Sequence, residues 1–398
     1  MSKPTQIREG AVAKIPTQSG DVGTTPDNSI STQKLQDLAV TEPKLSASVA
    51  EKINTASYKN YIINGDMNIS QRGTSFPAIG VNAYSLDRWI HNSAGTVAFT
   101  ISQDTDVPTV SEADYLFTNS LRMNVTTADA SIGSTDYASI RQYVEGYHFR
   151  NLAQKTFTLS FWVKSSVSGT YCVAFRNNGG DRSYVAEYSI SSINTWEYKT
   201  VTVSASPSAG SWNYTSSAGI RIEWFLSCGS SLQTTPNTWQ TGLFFATSNQ
   251  VNATGTIGND FRLTGVMLNE GSQAMPFRPF ADSFQGELDA CMRYYYQVNS
   301  GTGSQVAEMV AISTSRAVGT YRLPVALRAS PTLATSTITG IDLATGSSFD
   351  ITSLTQRTYS PPNVSELDAQ GAVGLTNGGV YRLLLADAAA FISWSAEL

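Results

Sequence analysis

Between Tyr58 and about residue 285, apolar side chains recur at every second position, the period of a half-buried β-strand. Phe157, Leu159, Phe161 and Val163 share one face of a run, and Tyr171, Val173 and Phe175 do the same after the turn at Gly169. Ile220, Ile222, Trp224 and Leu226 make a third such face. Phe261, Leu263, Gly265 and Met267 oppose Val266 and Leu268, so this strand is expected to be buried on both sides. Gly, Asn, Ser and Pro punctuate the runs, and no amphipathic helix of three or more turns is expected there. Short strands at this spacing predict an antiparallel sandwich.

The pattern changes near residue 284. Leu288, Cys291, Met292 and Tyr295 fall at i, i+3, i+4 and i+7, predicting about two helical turns over 284–296. Beyond them 320–332, 378–385 and 391–398 again read as strands, the first an edge strand because it carries Pro324 and Pro331. The N-terminal 57 residues differ from both: they hold no aromatic, and a decapeptide recurs back to back. In register, Ile30 falls on Val40 and Leu35 on Leu45. One such chain cannot bury enough surface to offset the entropy of ordering it. Several copies side by side can, so an oligomeric stalk is expected. The chain therefore divides into a stalk (1–57), a β-sandwich (58–286) and a smaller β-rich unit (287–398).

Composition narrows the function classes. Of 398 residues only 14% are charged and the net charge is −5, so the whole chain has no basic excess for nucleic acid or anionic lipid. No apolar run approaches the roughly 18 residues of a membrane span. The opening Met1-Ser2-Lys3-Pro4 has no apolar signal core, so synthesis in the cytoplasm is expected. The three cysteines, Cys172, Cys228 and Cys291, are far apart and read as reduced core thiols. His91 and His148 are the only histidines, neither spaced for zinc, and both read as structural. No nucleophile elbow, P-loop or complete dinucleotide fingerprint occurs.

Longer runs carry a family resemblance. Asn60 to Ser75, containing Asn64-Gly65-Asp66-Met67-Asn68 and Gln71-Arg72-Gly73, followed by Asp87-Arg88-Trp89, resembles the opening of the jelly-roll domain in bacteriophage tail and head fibre proteins. Gly265 to Phe277 resembles that domain's closing strand. Leu288 to Tyr295, followed by Leu323 to Thr332, resembles the C-terminal segment often joined to it. The resemblance implies a mainly β homotrimeric fibre, with an extended N-terminal stalk attached to other virion proteins and a distal domain contacting the host. It implies a place in the virion and host surface polysaccharide or lipopolysaccharide as partner.

The jelly roll is in turn similar to carbohydrate-binding modules, which often hold a structural calcium. Carried over, Asp66 would be a ligand and Asp260 or Glu270 its partner, although Asn64-Gly65-Asp66 also reads as a plain turn. Where those modules carry Phe-Glu, this chain has Met67-Asn68, which removes a carboxylate. No other cofactor is expected.

Glycan binding uses flat aromatic faces with amides and charges that fix orientation. Trp212, Tyr214 and Trp239 lie in polar, turn-rich stretches, where each tryptophan is either an exposed platform or a lid on the sandwich edge. Trp162 and Trp224 lie within strands and are expected in the core. Tyr359, Asn363, Asn377 and Tyr381 are candidates for a distal surface. The expected function is non-enzymatic receptor binding by a tail fibre. Two alternatives remain: a structural head fibre or tail adaptor without saccharide affinity, and a polysaccharide depolymerase. The latter needs two carboxylates across a glycosidic bond, with Glu223, Asp260, Glu287 and Asp289 as candidates.

Overall fold

The computed structural model describes residues 58–299, 301–357, 361–371 and 374–398. The stalk positions Ile30, Leu35, Val40 and Leu45 lie outside the described residues, as does Tyr359. In the first part the alternating runs form β1 (Ser75–Phe76), β2 (Ala83–Tyr84), β3 (Ile90–Ala94), β4 (Ala98–Asp104), β5 (Ser120–Thr127), β6 (Tyr137–Glu145), β7 (Phe157–Ser165), β8 (Gly169–Asn177), β9 (Arg182–Ile190), β10 (Glu197–Val203), β11 (Ala218–Cys228), β12 (Trp239–Thr241) and β13 (Asp260–Glu270). A six-stranded sheet runs β1-β4-β5-β13-β7-β10, and a seven-stranded sheet runs β12-β9-β8-β11-β6-β3-β2. All pairings are antiparallel, and successive strands cross repeatedly between the sheets, which makes a jelly-roll sandwich. Two one-turn α-helices, α1 (Val110–Ala113) and α2 (Gly146–Phe149), and one 3₁₀ turn (Ser230–Leu232) interrupt it.

The expected apolar faces meet in the middle. Phe157, Leu159, Phe161 and Val163 from β7 join Ile220, Ile222, Trp224 and Leu226 from β11 in one buried cluster. Phe161 meets the Trp224 ring edge-on at 5.7 Å. Each side chain so buried contributes about 1.5–3 kcal/mol of transfer free energy. Trp224 lies in the core as expected. Trp162 does not: it alternates to the outer face of β7, half-buried against Tyr198 at 5.3 Å. The two-sided burial expected of β13 has a specific cause. The register slips between Thr264 and Met267, so Phe261 and Leu263 face the core before the bulge and Val266 and Leu268 after it. Gly265 makes the bulge at φ 60°.

The C-terminal part begins with α3 (Phe284–Met292), capped by Ser283, whose Oγ accepts from the Gly286 N–H. The helix ends before the expected 296, and it buries Glu287, Cys291 and Met292. Tyr295 instead starts β14 (Tyr295–Val298). Then follow β15 (Gln305–Ser313), β16 (Arg316–Arg322), β17 (Thr332–Thr335), β18 (Ile338–Asp342), β19 (Ser348–Asp350), β20 (Ser353–Gln356), β21 (Val364–Gln370), β22 (Val380–Leu385) and β23 (Ile392–Ser395). The single strand expected over 320–332 is two, because Pro324 cannot donate to a ladder and the chain leaves the sheet there. A seven-stranded sheet, β19-β18-β22-β15-β16-β21-β20, and a three-stranded one, β14-β23-β17, share a second core around Met309, Leu367, Leu383, Ile392 and Trp394.

The two cores are tied by buried charge. Arg293 donates to Glu145 at 3.1 and 2.8 Å, and the Tyr294 hydroxyl donates to the same carboxylate at 2.5 Å. Arg88, 1% exposed, pairs with Glu397. Arg328 donates to the carbonyls of Ser216, Ala396 and Glu397.

Candidate functional site

Because the core consumes the even positions of β11, its odd positions face outward, and they are not the hydroxyls and amides expected of a solvated sheet. Arg221, Glu223 and Phe225 project there, beside Arg141 and Tyr143 of β6 and Arg176 of β8. The register places Glu223 opposite Arg141, and Arg221 opposite both Tyr143 and Arg176.

Two apolar covers leave this patch as a groove. On one side the segment after β11 folds back, packing Phe245 and Ala246 over Cys172, Ala174, Val185 and Phe225. On the other, Leu398 and Tyr84 lie against Ile90, Tyr143 and Ala218. Between them is an open cavity of about 370 Å³, lined by Asn82, Asn92, Tyr137, Arg141, Arg176, Arg221, Leu243 and Phe245 together with the Gly179–Gly180 turn. Ligand sites commonly span about 300–1,000 Å³.

Glu223 lies beneath these lining residues and is fully buried. Arg176 pairs with one of its oxygens. The other accepts from Ser139 Oγ at 2.6 Å and Asn92 Nδ2 at 3.3 Å, with Arg141 at 3.8 Å. Burial pushes this carboxyl up, but Arg176 and Arg141, with the two neutral donors, outweigh it and hold the group below the usual carboxylate range. Arg141 also donates to Asn82 Oδ1 at 2.6 Å, which fixes the rim. Phe245 and Tyr143 support the guanidinium groups: Arg176 lies 4.4 Å from the Phe245 ring centre and Arg221 5.3 Å from that of Tyr143.

The residues singled out in the sequence fall elsewhere. Trp212 and Trp239 are half-buried at the sandwich edge, with Trp212 stacked on Phe149 at 5.3 Å and Trp239 against its edge at 5.6 Å. Their indole N–H groups donate to the carbonyls of Ala209 and Ser204, so they close the sandwich as a lid. Tyr214 stacks beyond them and is 37% exposed. Tyr381 is not a surface residue: it is 3% exposed, packs on Phe349, and its hydroxyl accepts from the Thr376 N–H at 2.7 Å. Asn363 and Asn377 are exposed.

The calcium set does not assemble. Asp260 and Glu270 begin and end the same 11-residue strand, about 33 Å apart at strand rise. Asp260 pairs with Arg122 at 3.2 Å and Arg262 at 2.8 Å, and Glu270 with Lys155 at 2.9 Å. Asp66 is buried, one oxygen accepting from Asn68 and the other without a partner, but the carboxyl sharing its small cavity is Glu287. Among the described residues no group of three or more His, Cys, Asp or Glu gathers. These residues do not fit the metal.

The depolymerase carboxylates are also dispersed. Glu223 is on the seven-stranded sheet of the sandwich, Asp260 on the six-stranded one, and Glu287 and Asp289 on α3. Glu223, held ionised with its lone pairs occupied, is unsuited to donate a proton. His91 is buried, its Nδ1 3.1 Å from the Gly80 carbonyl, and His148 packs on Phe280, both structural places. All three cysteines are buried free thiols.

No protein-family model matches the chain, and no curated protein sequence does. Solved structures that it resembles include carbohydrate-binding modules. A CBM4 module shares 14% identity over 52% of this chain and 98% of its own, with a TM-score of 0.29. TmCBM61, solved with β-1,4-galactotriose, shares 12% over 54% and 99%, with a TM-score of 0.27. The family 11 module from Clostridium thermocellum, solved with a mixed-linked tetrasaccharide, shares 12% over 50% and 96%, with a TM-score of 0.25.

Proposed function

We propose that the protein is a non-enzymatic receptor-binding fibre protein of a virion, and that the groove on the outer face of its seven-stranded jelly-roll sheet holds host surface glycan. The observation that carries the reading is the groove itself. It joins an aromatic and aliphatic wall, Tyr137, Leu243 and Phe245, to fixed polar groups, Asn82, Asn92 and three arginines. Apolar sugar faces and hydroxyls are recognised by that pairing. The residues that resemble phage fibre proteins supply the virion context and the homotrimer, and the repeats around Leu35 and Leu45 supply an oligomeric stalk. Three grooves on one axis convert a weak contact into firm attachment by avidity.

The test is binding of the purified full chain to immobilised host polysaccharide, read beside its competition with phage adsorption. Tyr137→Ala is expected to weaken single-site binding roughly tenfold. Leu243→Ser, at a residue 44% exposed and so safe for folding, should weaken it in the same direction. Unchanged binding in both variants would remove the groove from the account, and a monomeric mass for the full chain would remove the trimer.

A further inference from the structure

The positive charge of the groove exceeds what the carboxylate beneath it can absorb. Arg141, Arg176 and Arg221 line it, and no lining residue is acidic. The one carboxylate in contact, Glu223, already takes Arg176, Arg141, Ser139 and Asn92, so two positive charges remain uncompensated. Arg221 lies within ion-pair distance of no carboxylate among the described residues; its Nη2 donates only to the Asn178 carbonyl at 3.2 Å. It also stands directly opposite Arg176 across the β8–β11 ladder. Like charges in that relation destabilise a sheet. Burial, with Arg176 and Arg141 close by, pulls the Arg221 guanidinium below its ordinary value.

The hydrogen-bond inventory agrees. Nε of Arg141, Arg176 and Arg221 is buried without a partner in the protein, although Arg176 is only 2% and Arg141 7% exposed. Buried donors of this kind are ordinarily satisfied, so the three guanidinium groups around this cavity keep hydrogen-bonding capacity that the protein itself does not use. The chain as a whole carries −5, so this local excess of cations is not a by-product of composition.

We propose that the groove selects a glycan bearing oxyanions, carboxylate or phosphate, and seats one of them between Arg221 and Arg176. This rests on reading the groove as the glycan seat and adds the chemical class of the ligand. A planar guanidinium meets either oxyanion with two parallel N–H donors, which a hydroxyl cannot match. The ligand's charge separates Arg221 from Arg176 while the aromatic wall holds the ring beside it.

Calorimetric titration of the full chain with three tetrasaccharides tests this: oligogalacturonate, the same oligomer with its carboxyls reduced to alcohols, and a 6-phosphorylated galactose tetramer. At least one acidic ligand is expected to bind about tenfold or more tighter than the neutral one, the margin shrinking as salt rises from about 0.05 to 0.5 M. Which acid binds identifies the oxyanion. Arg221→Gln should remove that margin, bringing acidic and neutral ligands to the same affinity; Arg221→Lys, which keeps the charge without the fork, should retain part of it together with the salt dependence. Arg221 has no ion-pair partner to strand, so the melting temperature should hold; if it falls in Arg221→Gln, Arg221→Lys carries the comparison. Equal affinity for neutral and acidic ligands overturns the proposal and leaves the glycan seat standing. Acid binding indifferent to Arg221→Gln also overturns it. Failure of all three ligands overturns it as well, and host polysaccharide that still binds through Tyr137 then preserves the broader reading.

Discussion

Glu287 shows what a single buried carboxyl does here. Burial pushes it up to about 7, the neighbouring Asp66 adding to the rise while the N–H groups of Asn64 and Ala281 restrain it. In the unfolded chain a glutamate titrates near 4.3. Between those values the folded state binds the extra proton, so this group's contribution to stability falls as pH rises from about 4.5 to about 7. His148 slopes the other way: burial lowers it to about 4, so the unfolded chain protonates first and stability is lost as pH falls below about 6.5. The informative quantity is therefore the difference between Glu287→Gln and the parent. By chemical denaturation the variant should gain relative stability, on the order of 2 kcal/mol, from pH 5 to pH 8. A flat difference would contradict the assignment. The sequence placed Glu287 on a helix but not beneath its buried face, because the i, i+3, i+4 pattern of Leu288, Cys291 and Met292 accounts for that face without it. Its burial depends on main-chain donors more than 200 residues away in the chain, at Asn64, and no local pattern shows that.

At the scale of elements, period-2 alternation was enough for β7, β8 and β11, whose apolar faces all reach the core. It faltered where geometry breaks the period. The bulge in β13 moves the core face from odd to even positions, and its signature was the adjacent pair Gly265-Val266 within an otherwise apolar run. A side chain at 265 would meet Phe117 at 2.7 Å and the Trp162 ring at 3.0 Å, from a backbone at φ 60°. Gly265→Ala should therefore cost about 1–3 kcal/mol in denaturant unfolding. A cost near zero would mean that the bulge is not required. The C-terminal strands were harder to place, since Tyr381 sits in an alternating run and packs on Phe349 of β19, 32 residues earlier in the chain.

For the whole molecule, the sandwich was legible from strand spacing, while the groove was not. Its parts stood in plain view as charged residues opposite the apolar positions: Arg141 in β6, Arg176 in β8, Arg221 and Glu223 in β11. What the sequence lacked was strand order. Only the order β8-β11-β6 sets those four side by side, and it is fixed by connections that cross between sheets. The loop tryptophans drew attention because turns expose side chains, yet Trp212 and Trp239 are tied down through their indole N–H groups. Glycan binding on the seven-stranded sheet is thus the claim to test first. Hydrogen–deuterium exchange of the full chain, with and without saturating host polysaccharide, measures it directly. The account predicts slowed exchange at residues 80–83, 177–182 and 242–246, which rim the groove. Protection confined to residues 209–215 and 236–241, around the aromatic lid, would contradict it.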